Sequence, residues 1–244
     1  MNGAHLLEWL PLGEGEDVQW LKYSFGLGTA NSLAVKLRDK TWMVISPAGK
    51  APELVYKTLE KYGTVGALVA PNAYHNKGQP AWRERFPSAF SYAPRGAHSR
   101  LSKKTPTVDY RPIEELAQKL GSARFFQPDG MKSPDLMFQM STGAGAICWM
   151  GDLLSNSGLS DQTWPLRMLS RFAGGGLGCR CNSKPELVYV RDRAAWIGSV
   201  RSALDRFPPS IVVPAHGDPV AENATERTRR ALDAIDLQTA HAAT

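Results

Sequence analysis

Three stretches of the chain set a side chain that can bind a metal at or just beyond the end of an apolar run: Val69-Ala70-Pro71-Asn72-Ala73-Tyr74-His75, Trp149-Met150-Gly151-Asp152 and Val213-Pro214-Ala215-His216-Gly217. Strand ends are where side chains distant in sequence converge while rigid elements hold them. Two imidazoles and one carboxylate suit a divalent transition metal and leave positions open for water or substrate. Each stretch also has an ordinary structural reading. His75 is then a buried imidazole bonded to a backbone carbonyl, Asp152 a cap for the segment after it, and His216 a turn residue. The other histidines, His5, His98 and His241, are expected at the surface or a terminus. Cys179-Arg180-Cys181 lacks a second pair to complete a structural zinc site and is expected to be a loop pair without function. The neighbouring glycine run Gly174–Gly178 lacks the Gly-Lys-Ser/Thr ending of a phosphate loop.

The elements that position these residues follow from hydrophobic periodicity. Gln19–Phe25, Asn31–Leu37 and Thr41–Ile45 read as strands, the last ending at Ser46-Pro47. Glu53–Tyr62 carries Leu54, Val55, Leu59 and Tyr62 at helical spacing between Pro52 and Gly63. Ala67–Ala70 is a buried strand stopped by Pro71, and Trp82–Phe86 is helical. Phe90–Tyr92 is extended, and the stretch to Thr107 reads as loop. Arg124–Gln127, Leu136–Met140 and Ala146–Met150 read as further strands. Ser155–Gly178 reads as a loop, with Trp149 and Trp164 as pocket-lining residues near Asp152. Asp192 caps an amphipathic helix with Trp196, Val200, Ala203, Leu204 and Phe207 on one face, stopped by Pro208-Pro209. Ile211–Val213 is a strand, Glu222–Leu237 the last helix, and Thr239–Thr244 a frayed tail. With neither an internal repeat nor a dividing linker, residues 1–244 are expected to form one domain.

Composition narrows the function classes. The net charge is +6, but basic residues interleave with acidic ones, as in Lys36-Leu37-Arg38-Asp39-Lys40 and Arg191-Asp192-Arg193. That pattern is a solvated surface rather than a nucleic-acid groove. Three cysteines argue against a disulfide framework and fit a reducing compartment. Met1–Leu12 lacks a basic leader, and apolar runs fall short of the ~20 residues that span a bilayer. The expectation is a cytoplasmic protein with a small-molecule substrate or ligand.

The order strand–His, strand–Gly-Asp, strand–Pro-x-His-Gly resembles the way metallo-β-lactamase superfamily members distribute their metal ligands. The resemblance runs from about Asn31 to the last helix and is strongest at Met150–Leu154 and Ile211–Gly217. Within the superfamily the chain looks like a poorly characterised branch, through Ser46-Pro47, Pro71–His75, Trp82 and Phe86-Pro87. It implies an α/β fold, the four-layer αββα sandwich. It also implies that His75, Asp152 and His216 lie on the same side of that sandwich.

The departures restrict the chemistry. Where the superfamily has His-x-His-x-Asp-His, this chain has Ala70-Pro71-Asn72-Ala73-Tyr74-His75, so only the last histidine remains. The expected Gly-His turn is Asp129-Gly130 without a histidine, and the early Asp-x-Gly turn is Ser46-Pro47-Ala48. The resemblance therefore implies loss of the first of two metal sites. The second retains His75, Asp152 and His216, enough for one divalent ion, with zinc expected ahead of iron or manganese. Tyr74 is placed to donate to a developing oxyanion, and Asn72 to orient substrate or water. The activity expected is that of a mononuclear metal-dependent hydrolase with a small, anionic substrate. The alternative is a metal-free ligand- or partner-binding protein of the same fold.

Overall fold

A computed structural model describes residues 6–143, 145–172, 176–181 and 187–242; His5 and the first two residues of the glycine run lie outside them, as do the side chains from residue 237 onward. The first sheet has seven strands in sequential order: β1 (Leu10–Pro11), β2 (Val18–Ser24), β3 (Thr29–Lys36), β4 (Trp42–Ile45), β5 (Val65–Val69), β6 (Phe90–Ala93) and β7 (Tyr110–Pro112). Pairing is antiparallel from β1 to β4 and parallel from β4 to β7. The parallel half needs crossovers, and α1 (Glu53–Glu60), α2 (Gln79–Arg85) and α3 (His98–Lys104) occur in them. The second sheet has the order β13 (Ile211–Val213), β10 (Gly145–Trp149), β9 (Met137–Thr142), β8 (Arg124–Phe126). A small third sheet joins β12 (Gly178–Cys181), β11 (Leu154–Ser157) and β14 (His216–Gly217).

Alternation along the strands separates the layers. Leu33, Val35, Met43, Ile45, Ala67 and Val69 of the first sheet bury against Phe138, Ile147, Trp149 and Val213 of the second. Their neighbours Ala34, Trp42, Val44 and Leu68 face outward and are covered by Val55, Tyr56 and Leu59 of α1 and Trp82 of α2. On the far side, Cys148 and Val212 pack beneath Trp196, Ile197, Val200 and Leu204 of α6 (Arg193–Arg206) and Leu232 and Ile235 of α7 (Ala224–Ala242). Helix, sheet, sheet, helix is the αββα sandwich that the resemblance implies.

Several local expectations are corrected. His98–Lys104 is helical rather than loop, because Leu101 is buried between Ala97 and Tyr110. The stretch after Asp152 is not one loop: it contains β11 and α5 (Trp164–Phe172). Cys179 and Cys181 sit on β12, paired to β11, rather than in a loop. Burial pushes the thiols of Cys148, Cys179 and Cys181 up, which makes all three poor nucleophiles. The face that α1 buries is Val55, Tyr56 and Leu59, while Leu54 and Tyr62 face solvent. The last helix runs to Ala242, into the stretch expected to be a frayed tail. Among the described residues, no helix is long and apolar enough to cross a membrane.

Candidate metal centre

Strand β5 ends at Val69, and past Ala70-Pro71 comes Asn72 with its side chain fully buried. The Asn72 Oδ1 accepts from the backbone N–H of Tyr74 at 2.8 Å and of His75 at 3.0 Å, an Asx turn that sets the direction of the His75 ring. At the end of β10, Gly151 takes φ +65° and turns the chain so that Asp152 leaves the strand toward the same space. Beside it β13 runs parallel to β10, and Ala215 N–H donates to the Gly151 carbonyl at 3.0 Å, which brings His216 next to Asp152. Asn31 of β3 holds that turn from the opposite sheet, donating through Nδ2 to the carbonyls of Pro214 (2.8 Å) and Gly217 (2.6 Å).

The three predicted ligands therefore meet. One ligand atom from each of His75, Asp152 and His216 can be chosen so that all lie within 4.8 Å of one another. Asp152 Oδ1 is 2.7 Å from His75 Nε2 and 3.5 Å from His216 Nε2. That oxygen is buried, and no hydrogen bond is aligned on it. Its other oxygen is occupied: Oδ2 accepts from Asn72 Nδ2 at 3.1 Å and from the Tyr189 hydroxyl. Asp152 thus presents a buried carboxylate oxygen between two imidazole nitrogens, a donor set that fits a divalent ion.

The far side of each imidazole is fixed as well. His216 Nδ1 lies 2.7 Å from the Thr29 carbonyl, which can only accept, so Nδ1 carries the proton and the neutral ring leaves Nε2 as a lone pair. His75 Nδ1 is 2.7 Å from Ser46 Oγ, which is 3.1 Å from the Tyr23 hydroxyl. Burial pushes the Tyr23 phenol up to about 12, so it stays neutral. Ser46 is held at φ +54°, a left-handed conformation uncommon for a residue with a Cβ, and its carbonyl accepts from Ser32 Oγ at 2.6 Å. A pair from a Ser46-His75-Asp152 row resembles a nucleophile with its base, but Ser46 is only 1% exposed, which keeps substrate from its hydroxyl.

The electrostatics favour a charged Asp152. Burial alone would raise its carboxyl, but His75 and His216 outweigh burial and hold it well below the ordinary range. Asp135 goes the other way: burial first, then the Asp152 charge, raise it well above. Burial disfavours the His216 imidazolium, yet the Asp152 carboxylate and the Thr29 carbonyl carry its pKa above the usual value. The Tyr189 phenol is raised strongly by burial and by Asp152 and Asp135.

Tyr74 stands at the rim, 42% exposed, edge-on to Tyr189 at 5.7 Å and beneath the Arg100 guanidinium at 4.6 Å. Trp149 does not line a pocket; it lies in the core between the sheets. Trp164 lines a cavity formed with α5 rather than the three-ligand cluster. His98 is half-buried, with Nε2 3.1 Å from the Ala93 carbonyl. Sequence reasoning missed Asp135, Tyr189 and Tyr23. Asp135 had a usable signal, since it too sits at the mouth of a strand, in Ser133-Pro134-Asp135 ahead of β9. Ser46 enters the sequence reading as part of the Ser-Pro that ends a strand and as a departure at its turn, without a role beside His75.

Comparison with known proteins bears on the fold. A metallo-β-lactamase from Hirschia baltica superposes with a TM-score of 0.60 at 14% identity, covering 92% of this chain and 97% of that one. The metallo-β-lactamase FIM-1 from Pseudomonas aeruginosa, in its mono-zinc form, gives 0.60 at 14% identity over 93% and 95%. An NDM/FIM-1-like metallo-β-lactamase from Erythrobacter litoralis, also in a mono-zinc form, gives 0.57 at 18% identity over 93% and 96%. The protein has the metallo-β-lactamase fold. At the level of sequence, no protein-family model and no curated protein matches the chain.

Proposed function

We propose that residues 1–244 act as one metallo-β-lactamase-like domain, a mononuclear metal-dependent hydrolase whose ion is held by His75, Asp152 and His216. The observation that carries this reading is the buried Asp152 Oδ1, without an aligned hydrogen bond, between two histidine nitrogens. Zinc suits a set of two imidazoles and one carboxylate, and iron and manganese remain accessible to it. A bound divalent ion supplies Lewis acidity, lowering the pKa of a coordinated water from ~15.7 toward ~7. His216 and His75 are oriented by Thr29 and Ser46, and Asn72 and Tyr189 hold the Asp152 oxygen that faces away from the ring nitrogens. Asn72 therefore acts by positioning, since its amide is committed to protein partners. Tyr74, half-exposed at the rim, is the side chain assigned to substrate contact, with Arg100 above its ring to favour an anionic, small substrate.

A second reading, a metal-free binding protein, is favoured by the 2.7 Å approach of His75 to Asp152, an ion pair that can satisfy the carboxylate without an ion. Metal analysis of the purified chain beside a His75→Ala variant separates the two. One zinc, iron or manganese per chain, lost in the variant, is the expected result. A chain that stays metal-free after incubation with each ion establishes the second reading instead.

A further inference from the structure

A cavity of about 460 Å³ opens beside α5, lined by none of the three candidate ligands. Trp164, Arg167, Met168 and Arg171 of α5 line it together with Leu159, Leu177 and Arg180. The apolar members are far more exposed than residues of their type in a core: Trp164 is 70% exposed and Leu159 62%. Carboxylates are absent from the lining among the described residues. The wall is built: Leu166, on the other face of α5, packs so closely on Gly28 that an added Cβ there would lie 2.7 Å from its Cδ2. Gln162 bridges to Gly28, and Thr163 donates through its hydroxyl to the Leu27 carbonyl at 2.7 Å. The Arg180 side chain is braced by a 3.0 Å bond from Nε to the Leu177 carbonyl, which leaves its terminal nitrogens toward the cavity edge as donors.

We propose that this cavity binds a small amphipathic carboxylate, an acyl or aryl body lying on Trp164, Met168, Leu159 and Leu177 with its anionic head between Arg171 and Arg180. Apolar walls with a few convergent polar groups, in a volume between roughly 300 and 1,000 Å³, are the form of a small-molecule site. Arginine forks match a carboxylate in pairs of hydrogen bonds. A flat anionic membrane would engage a protruding apolar face; here apolar and basic side chains line one common cavity, which selects a free molecule.

The test exploits an unusual distribution of tryptophan. Trp9, Trp20, Trp42, Trp82, Trp149 and Trp196 are all buried, so Trp164 alone reports from water. Titration of the full chain with decanoate below its micelle concentration should give a saturable blue shift of emission, absent in Trp164→Phe. Arg171→Gln with Arg180→Gln should weaken decanoate at least tenfold and leave decanol within twofold, in a variant whose circular dichroism matches the parent. His75→Ala should bind decanoate as the parent does. The proposal is overturned by an unsaturable response, by equal decanoate affinity in the double arginine variant, or by loss of binding in His75→Ala. A shift produced only by anionic vesicles overturns it in favour of a membrane surface.

Discussion

The carboxylates of Asp135 and Asp152 share one donor: Asn72 Nδ2 lies 2.9 Å from Asp135 Oδ1 and 3.1 Å from Asp152 Oδ2. Asp135 Oδ2 in turn accepts the backbone N–H of Asp152 at 2.8 Å. A neutral amide thus bridges two buried acids at a position where the resemblance places a histidine ligand of a first metal. Replacing it removes both bonds and the Asx turn before His75. Hydrogen bonds to charged groups contribute about 1.5–3 kcal/mol each, so Asn72→Ala should lose about 3 kcal/mol or more in urea unfolding. Asn72→Asp should lose more at pH 7, because a third carboxylate joins the pair, and that excess should shrink as the pH is lowered. An Asn72→Ala chain as stable as the parent would show that the bridge does not matter.

Ser46 governs which nitrogen of His75 faces Asp152. Ser46 Oγ lies 2.7 Å from His75 Nδ1, and when it accepts from Nδ1–H a neutral His75 leaves Nε2 as the lone pair that a metal needs. Partners of this kind typically change metal affinity 10–100-fold. Ser46→Ala should therefore weaken zinc by about 10–100-fold in competition with a chromophoric chelator, with the far-ultraviolet spectrum unchanged. Tyr23→Phe, one bond further out, should have a smaller effect in the same direction. Unaltered zinc affinity in Ser46→Ala would remove Ser46 from the site.

Gly151 is required by Asp135 as well as by its own backbone. A Cβ at Gly151 would stand 2.4 Å from Asp135 Oδ2, at φ +65°. Gly151→Ala should cost about 2 kcal/mol or more. In an Asp135→Ala background the steric part disappears and only the cost of a positive φ remains. The double-mutant cycle should show a coupling of at least about 1 kcal/mol. Simple additivity would mean that the backbone conformation alone demands glycine.

Lys22, 5% exposed, pairs with Asp161 at 2.8 Å and Asp218 at 2.5 Å. Burial would raise the Asp161 carboxyl, but bonds from Lys22, the Gly158 N–H and Thr29 hold it below the ordinary range. A carboxyl depressed by folding contributes stability above its unfolded pKa and loses it as pH falls through the folded one. The parent should therefore lose this contribution below about pH 4. Lys22→Met strands buried charge and should cost about 3–5 kcal/mol at pH 7. The gap between parent and variant should narrow from pH 6 to pH 3 in denaturant titrations, and a gap independent of pH would assign the loss to packing.

Much of this molecule was legible in the chain because alternation and punctuation are local. Strand pairs such as Leu33/Val35 against Ala34, and the Pro71, Gly151 and Gly217 breaks, mark both the layers and the points where His75, Asp152 and His216 leave them. The helices at His98–Lys104 and Trp164–Phe172 escaped because they are short and their burial is set by distant partners, Tyr110 for the first and Gly28 for the second. The sequence by itself determined the order of strands along the chain and the donor types, and its resemblance to the superfamily implied the loss of a His-x-His pair. Only the tertiary structure decided what replaces them: Asn72 bridging Asp135 and Asp152, Tyr189 reaching Asp152 from 37 residues away, and Ser46 behind His75. Those partners are chosen by burial, which obliges each polar atom to find a mate in space, and separation along the chain carries no trace of that choice.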